Sequence, residues 1–135
     1  MRLSLETTER LAVTDVTARV ADAVPDDVER GVCTVFVPHT TAGVTINEAE
    51  AGLITDVEDA LARLVPDADY AHDAVDDNAA AHLRGSLLGP SASVPVSEGS
   101  LDLGTWQSVL FVECDGPRTR SLDVRVAPTV GRDDA

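Results

Sequence analysis

The chain has 135 residues, 44% of them hydrophobic, which is enough apolar side chain for one core but cramped for two full domains. Its net charge is -14, from 24 acidic residues against 10 basic ones, all of the latter arginine. That balance excludes the basic footprint that non-specific nucleic-acid binding needs, and no apolar run approaches the roughly 20 residues of a membrane span. We therefore expect no nucleic-acid partner and no membrane insertion. The N-terminus lacks a signal-peptide core, so a cytoplasmic protein is expected. Acid excess without lysine also fits a halophile-like surface, in which salt screens the self-repulsion.

Alternation of Leu3, Leu5 and Thr7 with polar neighbours predicts a first strand over residues 2–8. Val16, Val20 and Val24 then recur at helical spacing, with Thr14 as a candidate cap and Pro25 as the stop. Residues 31–37 are apolar on both parities and read as a buried strand, and 43–46 as a second, short one. Leu53, Val57, Leu61 and Leu64 predict a helix from about Ala49 to Val65. Residues 66–77 read as a loop. Asp76 or Asp77 would cap a helix from Asn78 to about Leu88, ended by Gly89-Pro90. Val94-Pro95-Val96 suggests an edge position. Segments 106–114 and 120–127 read as the last two strands, joined by a hairpin-like turn at Asp115-Gly-Pro-Arg. The expected fold is a compact, sheet-rich α+β single domain over residues 1–128, with six to eight antiparallel or mixed strands and two to three helices packed on the sheet. Residues 129–135 read as a flexible tail.

Candidate chemistry centres on three histidines. His39 sits where a strand gives way to a loop, a usual place for functional groups. Asn47 and Glu48 end the next strand and either return toward His39 or, in the case of Asn47, cap the following helix. Asn78, His82 and Ser86 fall at i, i+4, i+8, a polar stripe opposite Ala80, Leu83 and Leu87. That stripe either faces water or lines a site, with Arg84 and the first helix turn offering positive charge to an anion. His72, in the loop, would complete a set of three imidazoles suited to an open zinc centre, with Asp73, Asp76 and Asp77 as ligands or orienting partners. Glu113 shares a strand face with Phe111 and needs a partner if buried, for which Arg118, Arg120 or a histidine would serve. Arg118, in a turn, suits either capture of phosphate or a surface ion pair. Cys33 and Cys114 lie in apolar runs and read as buried thiols. P-loop, Rossmann and nucleophile-elbow motifs are absent from the sequence.

Three ordered segments resemble a known family: Pro38-His-Thr-Thr-Ala-Gly-Val-Thr-Ile-Asn-Glu, Asp77-Asn-Ala-Ala-Ala-His-Leu-Arg-Gly-Ser-Leu-Leu-Gly-Pro-Ser, and Leu103-Gly-Thr-Trp-Gln followed by Glu113-Cys-Asp-Gly-Pro-Arg. Together they are similar to the YjbQ-like family, the secondary thiamine-phosphate synthases, over residues 4 to 127. The resemblance implies a compact α+β homotrimer. It also implies an activity joining a hydroxymethylpyrimidine pyrophosphate to a thiazole phosphate with release of pyrophosphate. On this reading His39, His82, Asn78 and Glu113 are catalytic, and Arg84, Arg118, Ser86 and Asn47 bind the phosphorylated substrate. His39, His72 and His82 would hold a divalent metal such as zinc or magnesium. Gly85 departs from the better helix former expected there. Two other functions fit the same residues: a metal-dependent hydrolase or other phosphate-handling enzyme, and a non-catalytic ligand-binding oligomer.

Overall fold

The computed structural model describes residues 1–130, so the segment 131–135 of the expected tail lies outside the described residues. Thr129 is tied down, its amide donating to the Arg30 carbonyl at 3.2 Å. The described residues form one α+β domain of eight strands and four helices. In chain order these are β1 (Arg2–Glu6), β2 (Ala12–Asp15), α1 (Thr17–Asp22), β3 (Gly31–Phe36), β4 (Ala42–Asn47), α2 (Ala51–Leu64), α3 (Asp73–Asp76), α4 (Ala79–Leu88), β5 (Ser91–Ser97), β6 (Ser100–Leu101), β7 (Ser108–Glu113) and β8 (Thr119–Pro128).

Two antiparallel sheets result, β1-β8-β3-β5-β6 and β2-β7-β4. Their facing sides share the main core. Cys33 and Val35 of β3, Val94 and Val96 of β5, and Leu122 and Val124 of β8 meet Val44 of β4 and Val109 and Phe111 of β7. Val16 and Val20 close this core from the start of α1. A smaller cluster joins Val112 and Cys114 to Leu61 of α2 and Ala81 of α4, so the helices cover the other side of the three-stranded sheet. At about 25 cal/mol per Å² of apolar surface removed from water, these two clusters dominate the favourable side of folding.

Several local expectations are corrected. Thr14 lies in β2 rather than capping a helix; Asp15 Oδ1 takes the Thr17 amide at 2.9 Å and its hydroxyl at 2.6 Å. The strand buried on both faces is β7, which is covered by the main core on one side and helices on the other; β3 alternates, with Val32 and Phe36 partly exposed. The Asp115-Gly-Pro-Arg turn is no hairpin, because it carries the chain from the three-stranded sheet to the five-stranded one. Asn47 caps nothing beyond its own neighbour: its Oδ1 accepts the Glu48 amide at 2.8 Å, while the Glu50 carboxylate accepts the Gly52 and Leu53 amides at the start of α2. Within the expected loop, Asp73–Asp76 winds into the single turn α3.

Candidate functional site

Two segments cross between the sheets, 37–41 from β3 to β4 and 114–118 from β7 to β8. They meet at one end of the molecule, where the Cys114 amide donates to the Thr41 carbonyl at 3.1 Å. Helix α4 approaches them closely because Gly85 carries no side chain. A Cβ there would sit 3.1 Å from the Thr40 carbonyl oxygen and 3.3 Å from that of Ala42. The glycine that looked like a poor helix former is thus where α4 passes the backbone of the first crossing. Between these three pieces lies a cleft of about 640 Å³, lined by His39, Asn78, His82, Asp115, Arg118 and Arg120, with Asp76 at its rim.

Beneath the cleft is a buried ion pair. The Glu113 carboxylate is fully buried and accepts from Arg120 through Nε at 2.8 Å and through Nη2, from the Thr7 hydroxyl at 2.7 Å, and from the Asp115 amide at 3.0 Å. Arg120 Nη2 also donates to the Thr41 hydroxyl at 2.9 Å. Burial works to raise the Glu113 pKa, but the hydrogen bonds from Arg120, Asp115 and Thr7 outweigh it and hold the carboxyl below its ordinary range. Glu113 therefore supports the cleft from below instead of lining it.

His39 accepts the Ser121 amide at Nε2, at 2.9 Å, which leaves Nδ1 to carry the hydrogen of the neutral ring. Burial, and then the nearby Arg120 guanidinium, lower its pKa. Asp115 joins helix to turn: its Oδ2 accepts Asn78 Nδ2 at 3.1 Å and Arg118 Nη2 at 2.8 Å. Burial opposes ionisation of Asp115, but these two donors hold its carboxyl below the usual value. Asn78 is buried, and its Oδ1 has no hydrogen-bond partner among the described residues.

The expected site residues divide into groups. His39, His82, Asn78 and Arg118 line the cleft. Ser86 lies just beyond it, its hydroxyl on the His82 carbonyl at 3.0 Å. His72 packs edge-on against His82, ring centroids 4.7 Å apart at 79°. Arg84 does not line the cleft: buried on the inner side of α4, it donates through Nε and Nη2 to the Val65 carbonyl at 3.0 and 2.7 Å, closing the end of α2. Of the expected packed face Ala80 is buried while Leu83 and Leu87 are exposed, and the buried residues of α4 are Ala79, Ala80, Ala81, Arg84 and Gly85. The first amide of α4 is also taken, by Asp73 Oδ1 at 3.0 Å, instead of by Asp76 or Asp77. Asn47 is on β4, away from the cleft lining. Asp115 and Thr41 were missed; Asp115 stands inside the third signature, and its position between Glu113 and Arg118 was the available signal.

A zinc centre needs nitrogens converging at about 2 Å from one ion. Among the described residues no group of three His, Cys, Asp or Glu is arranged to hold a metal ion. As placed, His39, His72 and His82 do not form a three-imidazole centre among the described residues.

Comparison with known proteins finds relatives over nearly the whole chain. The family described as UPF0047 protein YjbQ-like matches residues 1–129. A UPF0047 protein of Methanothermobacter thermautotrophicus is 46% identical over 127 residues, covering 93% of this chain and 89% of that protein. The UPF0047 protein YugU of Bacillus subtilis is 36% identical, covering 92% and 96%. Among solved structures, a YbjQ-like protein of unknown function from Sulfolobus solfataricus superposes with a TM-score of 0.92 at 34% identity, covering 96% of each chain. A hypothetical protein of Aeropyrum pernix superposes at 0.91 and 40% identity, covering 96% of this chain and 98% of that one.

Proposed function

The chain belongs to the YjbQ-like UPF0047 family, and from that premise we propose that its cleft is the active site for a small phosphorylated substrate. The reaction proposed is a coupling of thiamine-phosphate synthase type. A hydroxymethylpyrimidine pyrophosphate is attacked by a thiazole phosphate, and pyrophosphate leaves. The observation that carries the reading is the convergence of His39, His82, Asn78, Asp115 and Arg118 on one cleft of suitable size. Departure of pyrophosphate needs its charge met by fixed donors. Arg118 is anchored through Nε to the Asp115 carbonyl at 2.8 Å and through Nη2 to the Asp115 carboxylate, which leaves its other N–H groups for phosphate oxygens. The two imidazoles orient the substrate by hydrogen bonding.

The test is thiamine-phosphate formation and pyrophosphate release from both substrates by the purified protein. His82→Ala and Arg118→Ala should each lower turnover by about 10²-fold or more. Unchanged activity in His82→Ala would sink the site assignment. Hydrolysis of one substrate alone would favour a phosphate-handling hydrolase, and binding without turnover a non-catalytic ligand-binding oligomer. Metal analysis of the same preparation tests for a bound divalent cation. We also propose a cytoplasmic homotrimer, supported by the partly exposed Val32 and Phe36 on the outer side of β3.

A further inference from the structure

The cleft does not end at the histidines. A second hollow of about 320 Å³ continues from it, lined by His39, Thr40, Ala42, His82, Gly85, Ser86 and Pro90. His39, Thr40, His82 and Pro90 belong to both hollows, so they form the neck between them. The two lobes differ in chemistry. The larger holds Asp76, Asp115, Arg118 and Arg120, whereas the smaller contains no aspartate, glutamate or arginine.

We infer that the smaller lobe is a separate subsite for an uncharged, ring-sized group bearing a hydrogen-bond donor, with the phosphate-bearing group in the larger lobe and the reacting bond at the His39–His82 neck. This rests on the proposed function and adds where the pyrimidine ring and the pyrophosphate of the first substrate lie. A phosphate in the smaller lobe would lose water without meeting a cation, so the charge pattern sorts the two groups. Gly85 lets α4 lie close on the Thr40 and Ala42 backbone, whose carbonyls stand 3.1 and 3.3 Å from where a Cβ would be, and so sets the depth of that lobe. Beyond His39, Thr40 and His82, which it shares with the larger lobe, its polar group is Ser86, which already donates to the His82 carbonyl and so offers its oxygen as an acceptor. Ser86 is exposed on the outer side of α4, so enlarging it blocks the lobe with no core residue disturbed.

The experiment is calorimetric binding of two probes, inorganic pyrophosphate and neutral amino-hydroxymethyl-methylpyrimidine, to wild type, Ser86→Phe and Arg118→Ala. The neutral probe should bind wild type in the presence of saturating pyrophosphate. Ser86→Phe should weaken the neutral probe about tenfold or more while changing pyrophosphate affinity less than about twofold, and Arg118→Ala should do the reverse. Ser86→Leu, checked with the others for an unchanged melting curve, is the smaller blocking variant and should fall between wild type and Ser86→Phe. Mutual displacement of the two probes, equal effects of Ser86→Phe on both, or no binding of the neutral probe would each overturn the two-lobe assignment. Because no turnover is measured, an inactive protein that still sorts the probes sinks the coupling reaction alone. An active protein that does not sort them sinks the subsite alone.

Discussion

Glu113 is a charge that water cannot reach, and its four donors decide what it does to stability. With its folded pKa held below the ordinary 4.5, it contributes stability that is present above that value and lost as pH falls through the folded one. Glu113→Gln leaves Arg120 buried beside a neutral amide. We expect a cost of about 3–5 kcal/mol at neutral pH, with a shallower loss of stability on acidification below 4.5, read from urea unfolding at several pH values. An unchanged acid slope would show that Asp115 and Asp73, whose pKa values are also lowered, carry the acid sensitivity instead. His39 obeys the same sign. Its folded pKa lies below 6.5, so its neutral ring adds stability above 6.5 that is lost as pH falls through the folded value. Proton NMR of the imidazole resonances, with His39→Gln for assignment, should give a His39 midpoint below 6.5; a midpoint above it would mean that the Glu113 carboxylate, not burial and Arg120, dominates there.

At the scale of elements, Arg84 separates a site role from a packing role. It bridges α4 to the carbonyl of Val65, the residue that caps α2, so Arg84→Met should lower stability by about 1–3 kcal/mol through the unsatisfied Val65 carbonyl. Pyrophosphate binding at the cleft should be unchanged, and a parallel loss of pyrophosphate affinity would return Arg84 to the site. This residue also shows where the sequence stops being legible. Its charge and its place beside His82 suggested anion binding, because helical spacing reports which residues share a face but not which face is covered. The i, i+4 stripe of α2 was readable since its apolar side is continuous, and the signatures contain His39, His82, Asn78 and Arg118, four residues that line one cleft. Partition of β7 and β8 into different sheets was not readable: both are apolar strands separated by a short turn, and only long-range pairing distinguishes a hairpin from a crossing. The bond from Asp115 to Asn78 spans 37 residues and exists only once that crossing forms.

At the scale of the whole molecule, charge outweighs any single contact. Twenty-four carboxylates face ten arginines. Arg10 with Asp67 is exposed on both sides, whereas Arg2, Arg118 and Arg125 are exposed cations on part-buried aspartates. Exposed pairs of this kind contribute roughly 0–1 kcal/mol each, so screening them costs little. The excess of negative charge repels over longer distances, and those interactions fade when the screening length falls from about 10 Å at 0.1 M salt to about 3 Å at 1 M. Relief of repulsion should therefore exceed loss of attraction. The melting temperature should rise from low to molar sodium chloride, with potassium chloride giving the same rise because screening does not distinguish the cations. Glu113 and Arg120 are buried and will not respond to salt, so Glu113→Gln should shift the whole curve down without changing its slope. A flat or falling curve would mean that the acidic surface is already neutralised locally, and would remove the case for a salt-adapted surface. If the outer side of β3 joins copies of this equally acidic chain, salt should also strengthen that association. Light scattering across the same series then reads the assembly and the screening together, and a mass that falls with salt would argue that charge pairs, not Val32 and Phe36, hold it.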